Sequence, residues 1–137
     1  MRNTDFNLDA LGNYIACDSS IAALKDIIAD LDLEFEDKAA VCVVLASDGY
    51  PLSYEKGKLI TGLDNFKGKE GYYCFHAGTK KTDAGIVTNG GRVLGITAKG
   101  DTLKEARAKA YEATEWVDFE NKYMRHDIGK AIDETEE

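Results

Sequence analysis

The sequence predicts an α+β fold, a mostly antiparallel sheet with helices packed on one face. Three observations predict it. Runs rich in β-branched and aromatic residues recur at 39–46, 72–77, 86–88 and 93–98, as strands do. Short turns separate several of them, a hairpin tip at Asp83-Ala84-Gly85 and a tight turn or bulge at Asn89-Gly90-Gly91. Apolar stripes at helical spacing lie toward both ends of the chain.

Taken in order, Leu8, Leu11 and Ile15 suggest a short helix within 1–18, interrupted by Gly12 and Asn13. Ser19 or Ser20 can cap a firmer amphipathic helix whose stripe is Ile21, Leu24, Ile27, Ile28 and Leu31. Leu31–Glu36 alternates apolar and acidic residues and predicts a half-buried strand. Ala39–Ala46 is nearly all apolar and predicts a strand buried on both faces. Gly49-Tyr50-Pro51 ends it, a polar loop follows, and Leu59–Leu63 predicts another short strand. The strands at 72–77, 86–88 and 93–98 complete a sheet of about five strands. Thr102-x-x-Glu105 is a capping box before the stripe Leu103, Ala106, Ala110, Ala113 and Val117, and predicts a helix over 102–116. Residues 119–132 pack back on the sheet, and 133–137, four of five acidic, form a solvated tail.

The chain has 137 residues, enough for a single domain with one core. No apolar run approaches the ~20 residues of a membrane span. The first residues lack the apolar core of a signal peptide, so a cytoplasmic setting is expected, with no membrane partner. Net charge is −8, which argues against nucleic acid as a partner. The stretch Tyr72–Gly100 runs against that balance, with Lys80, Lys81, Arg92 and Lys99 opposed by Asp83 alone. A positive stretch on an acidic domain is a candidate seat for a small anion.

Several motifs carry little. Ser53–Lys58 mimics a phosphate-binding P-loop, but Leu52 and Leu59 stand where its glycine and hydroxyl belong. Lys56 and Lys58 read as loop lysines beside Tyr50, Tyr54 and Gly57. Cys17, Cys42 and Cys74 form no CxxC pair, which disfavours zinc, and the last two read as buried thiols. Cys74 and His76 share a strand face, and a Cys–His nucleophile pair is weighed against a core cysteine beside a strand-end histidine, the favoured reading. Asn89-Gly90-Gly91-Arg92 has two readings of equal weight. Its glycines can expose backbone N–H groups to an anion that Arg92 grips, or it is a turn followed by a surface arginine.

Four blocks, VCVVLASDGYPLSYEKGKLITGL, FHAGTK, IVTNGGRVLGITAKGDTLKEARAKAYEA and YMRHDIGKAI, follow one another in this order. Together they resemble the C-terminal domain of the phosphoribosylamine–glycine ligases, or glycinamide ribonucleotide synthetases, of the ATP-grasp superfamily. The resemblance spans about Leu31 to Ile132. It implies one domain over 1–137: a helical segment at 1–30, the ligase C-terminal domain at 31–132 and the acidic tail at 133–137. The implied fold is the ATP-grasp ligase C-terminal-domain type.

The family joins phosphoribosylamine and glycine with ATP, through glycyl phosphate, to give glycinamide ribonucleotide in purine synthesis. Its ATP and its magnesium or manganese are held N-terminal to this domain. The resemblance therefore implies no catalytic residue, metal ligand or cofactor in this chain, which should be inactive alone. The expected partners are the ATP-grasp and N-terminal domains of the same ligase. The domain should wall the substrate site and hold the sugar phosphate. That role falls on Arg92 after Gly90 and Gly91, on His76, Gly78 and Thr79 of the facing corner, and on Lys80. Arg125 and Asp127 match a block read as tying the C-terminal segment to the sheet. Asp48 and Leu52 replace the family's usual glycines. The alternative to the wall role is a free-standing, non-catalytic module that docks on a partner such as the rest of a split ligase. A stand-alone thiol hydrolase using Cys74 and His76 ranks below both.

Overall fold

The computed structural model describes residues 35–132. The chain divides into two compact units, Met1–Glu36 and Asp37–Glu137, and every element below belongs to the second. The helices expected within 1–18 and 21–31, and the tail at 133–137, lie outside the described residues. So does most of the strand expected at 31–36, whose last two residues, Phe35 and Glu36, are exposed and not in a strand.

The elements are β1 (Ala39–Ser47), β2 (Tyr72–His76), β3 (Thr79–Thr82), β4 (Gly85–Thr88), β5 (Arg92–Gly100), α1 (Leu103–Thr114) and β6 (Lys122–Tyr123). Four strands make an antiparallel sheet in the order β2-β5-β1-β6. β3 and β4 pair as a separate hairpin, not as members of one larger sheet. The hairpin tip falls at Asp83-Ala84, as its turn chemistry predicts. The strand expected at Leu59–Leu63 reduces to two isolated bridges, Leu59 with Val87 and Thr61 with Asp118.

One face of the sheet is the core. Val41 sits opposite Ala98, Val43 opposite Ile96 and Leu45 opposite Leu94, and all six are buried. Ala106, Ala110 and Ala113 of α1 are fully buried; these small side chains let the helix sit close to the sheet. At the helix start the approach is closest, because a Cβ on Gly100 would lie 2.6 Å from the Ala106 nitrogen. Phe66 and Tyr72 pack around Trp116 at centroid distances of 5.2 and 4.8 Å.

The other face differs from the expectation. β1 is buried on one face only, and Ala40, Cys42 and Val44 are exposed. A helix covers one side of the sheet, and no described element covers the other, so strand alternation shows through an almost wholly apolar sequence. Cys42 is therefore not the buried thiol its surroundings suggested. Tyr73 and Phe75 of β2 join this face and stack at 5.8 Å.

The register slips between Leu45 and Ala46. Leu45 pairs with Leu94, but Ala46 pairs with Arg92. The extra residue is a bulge at the start of β5. It puts Val93 and Leu94, adjacent in sequence, both into the interior, and leaves Arg92 exposed.

Candidate functional site

The site is built where the start of β5 meets the end of β2. The Gly78 N–H donates to the Arg92 carbonyl at 2.8 Å, and Ala77 N–H donates to Val93 at 3.0 Å. The Asn89 N–H returns to the Gly78 carbonyl at 2.7 Å. On the other side, Ser47 takes the Gly91 carbonyl through its N–H at 2.8 Å and the Gly90 carbonyl through its hydroxyl at 3.2 Å. Every carbonyl from Gly90 to Arg92 is thus bonded to protein. The corner and the turn named from sequence are brought together.

The reason for the glycines is not the one expected. Neither Gly90 nor Gly91 takes the left-handed conformation. They are required by close approach. A Cβ on Gly90 would come within 3.0 Å of Gly78 Cα, and one on Gly78 would lie 2.5 Å from the Arg92 oxygen and 2.7 Å from Gly90 Cα. A Cβ on Gly91 would overlap the Tyr50 ring.

Tyr50, pressed on Gly91, forms one side of a groove of about 500 Å³. Val44, Phe75, Ala77, Gly78, Arg92, Leu94 and Gly95 complete it. Arg92 is exposed, and no carboxylate among the described residues pairs with it. A free guanidinium at the rim of a concave site can take phosphate or carboxylate through a two-toothed fork.

Of the residues singled out from sequence, Gly78, Gly91 and Arg92 line the groove. Gly90 packs behind them against Gly78. His76 and Thr79 bond each other, with Nδ1 and Oγ1 3.0 Å apart, and frame the corner without lining the groove. Lys80 is exposed on β3, opposite Val87, and lies outside the lining. The positive stretch is not one patch. Arg92 and Lys99 sit near opposite ends of β5, about 23 Å apart along an extended strand, and Lys80 and Lys81 lie on the hairpin. Tyr50, Phe75 and Gly95 escaped the sequence reading as site residues. The signal available for Gly95 was its place in the middle of an apolar strand.

Other candidates fall to structural roles. Lys58 bonds Glu55 and Glu120, each at 2.8 Å, and these partners push its pKa to about 12. It is committed to carboxylates. Burial pushes the Cys74 thiol to about 11, so it stays protonated at neutral pH, against any nucleophilic role. Arg125 pairs with Asp127 through two bonds, at 2.9 and 2.7 Å. Beside it, Tyr111 of α1 donates to the Arg125 carbonyl at 2.9 Å and accepts from the Ile128 N–H at 3.0 Å, and Arg107 donates to the Ile128 carbonyl at 2.7 Å. The 125–128 segment is therefore tied to α1.

The family described as "Phosphoribosylglycinamide synthetase, C domain" matches residues 40–131. A phosphoribosylamine–glycine ligase of Caldanaerobacter subterraneus subsp. tengcongensis is 50% identical over 107 residues, which are 78% of this chain and 25% of that protein. The chloroplastic ligase of Arabidopsis thaliana is 44% identical over 111 residues, 80% of this chain and 21% of its own length. The crystal structure of a phosphoribosylamine–glycine ligase from Thermotoga maritima aligns with a TM-score of 0.56 at 50% identity, covering 64% of this chain and 21% of that one. The chain spans about a quarter of the length of these relatives. With a family match across most of its length and this sheet-and-helix architecture, the chain belongs to the phosphoribosylglycinamide synthetase C-domain family.

Proposed function

We propose that this chain is the substrate-wall domain of a phosphoribosylamine–glycine ligase and that it holds the 5′-phosphate of phosphoribosylamine or of its product, glycinamide ribonucleotide. One observation carries the reading, the unpaired guanidinium of Arg92 at the end of a glycine-lined groove. Gly78, Gly90 and Gly91 let two backbone segments approach closely and fix the base of Arg92. Its fork then meets a phosphate with little left to order. His76, Thr79 and Lys80 stand at the flank, where Lys80 adds a more distant positive charge.

Among the described residues no three His, Cys, Asp or Glu side chains converge. They do not supply the donor set that magnesium- or manganese-bound ATP needs. We assign ATP, the metal and glycine activation to the remaining length of the ligase, in the cytoplasm. This chain contributes binding and orientation: a phosphate held at Arg92 fixes where the amine of phosphoribosylamine points.

Titrating the chain with glycinamide ribonucleotide by calorimetry tests this. Arg92→Ala should weaken binding roughly 10- to 100-fold, the worth of a charge-assisted pair of hydrogen bonds. Affinity unchanged by the substitution would remove Arg92 from the role.

A second reading, a module that docks on the rest of a split ligase, draws on the open sheet face, where Val44 and Tyr73 are 42% and 40% exposed. Mixing the chain with the remaining ligase domains and measuring the complex by size exclusion tests it; separate elution counts against it.

A further inference from the structure

We infer that the groove beyond Arg92 seats the sugar ring, with Gly95 as its floor and Tyr50 and Phe75 as its walls, so that the site selects a phosphorylated pentose over phosphate alone. This rests on the phosphate reading of Arg92 and adds to it the residues that recognise the rest of the ligand.

Gly95 carries the argument. It sits in the middle of β5, a strand paired on both sides. Glycine there weakens the strand and forgoes a side chain that would pack on its neighbours. Its backbone is not left-handed, so the fold does not require glycine for conformation. Nor does another backbone press on it. A Cβ would meet only the Cys42 sulfur at 3.1 Å and the Phe75 Cβ at 3.8 Å. The contrast with Gly78, where a Cβ would run into backbone atoms, is direct. Space for a side chain exists at Gly95 and is left open on the groove floor, as in strands where a ligand approaches the backbone.

The walls fit the same occupant. Tyr50 and Phe75 are 41% and 56% exposed and line the groove with Gly95 and Arg92. Its volume of about 500 Å³ is that of a small-molecule site. Gly95 follows Arg92 by three residues, about 10 Å of extended strand, the scale of a phosphorylated pentose. Two aromatic faces above a bare backbone accept the C–H face of a furanose and leave its hydroxyls toward water. Phosphate alone has no use for aromatic walls, and a wholly apolar ligand has none for Arg92.

The test is a ¹H–¹⁵N NMR titration of the chain with ribose 5-phosphate and, separately, with inorganic phosphate, which also reports whether each variant is folded. Wild type should bind ribose 5-phosphate at least fivefold more tightly than phosphate. Gly95→Val should weaken ribose 5-phosphate about tenfold and leave phosphate within twofold. Phe75→Ala, an exposed wall position, provides a second variant and should also weaken the sugar phosphate selectively. Arg92→Ala should weaken both ligands. Equal affinity of wild type for the two ligands overturns the inference, as does ribose 5-phosphate binding within twofold of wild type in both groove variants. Either result leaves the phosphate reading standing. Binding of both ligands unchanged in Arg92→Ala overturns the phosphate reading, and the sugar seat with it.

Discussion

A Cβ at Gly91 would overlap the Tyr50 ring, and Tyr50 is the groove wall nearest Arg92. At the scale of the residue, the site is made by what side chains are absent. Gly91 holds Tyr50 in place by offering it a flat backbone, and Gly78 and Gly90 hold the Arg92 backbone by touching each other. Replacing Gly91 with alanine should push the Tyr50 ring away and cost about 1–3 kcal/mol, the usual penalty for an extra methyl in a close contact. Urea unfolding of Gly91→Ala should show the lower midpoint, with the Tyr50 ring resonances shifted. A midpoint equal to wild type would mean that the ring moves freely and does not shape the groove. The pair Gly90-Gly91 was legible in the sequence as special. Its reason was not, because a close approach between residues 41 positions apart leaves no local mark.

At the scale of the element, β5 and α1 share one short joint. Thr102 caps α1, its hydroxyl accepting from the Glu105 N–H at 3.1 Å, while the Glu105 carboxylate takes the Asp101 N–H at 2.8 Å. The back-bond reaches one residue before the cap instead of the cap itself, but it satisfies an exposed donor in the same way. Lys38 of the β1 approach pairs with Asp101 across this joint. At the helix end, Lys122 donates to the carbonyls of Thr114 at 3.3 Å and Val117 at 3.0 Å, placing a cation where the helix dipole favours it. Thr102→Ala should cost about 1 kcal/mol of stability and leave phosphate binding at Arg92 intact, since the cap lies at the opposite end of β5. Thermal unfolding alongside the NMR titration checks both halves. A loss of binding without a loss of stability would show that the two ends of β5 are coupled. This helix was the most readable element in the chain, because its cap and its stripe are both local signals. The strand at Leu59–Leu63 was misread because its apolar alternation serves single bridges to β4 and to Asp118, not a ladder.

At the scale of the molecule, charge and burial set how stability follows pH. Lys38, Lys58, Lys109 and Arg125 hold the carboxyls of Asp101, Glu55, Glu105 and Asp127 below their ordinary values. These contributions are present above the ordinary carboxylate range and fade as pH falls through it. All four pairs are exposed, so each is small and weakened by salt. The alkaline limb has a different cause. The unfolded Cys74 thiol loses its proton near 9.0, while burial holds the folded one to about 11. Between these values the unfolded chain binds fewer protons, so stability falls as pH rises. The bonded Lys58, pushed to about 12, extends the fall as it too loses its proton. Urea midpoints at pH 7, 9 and 10.5 should therefore decline, and Cys74→Ala should flatten the decline above pH 9. An identical slope in the variant would show that Cys74 is not the group responsible. Fold class, α1, the β3–β4 hairpin and the family blocks were all readable from residues alone, because periodicity, capping and turn chemistry act over a few positions. Strand order, the one-sided burial of β1 and the bulge that frees Arg92 came from long-range packing. Strands such as β1 and β5 find each other across some fifty residues, and nothing in either sequence says which face a helix will cover. The same holds for the groove. Arg92 was visible as a charge, but Tyr50, Phe75 and Gly95 became its neighbours only when three distant segments closed around it.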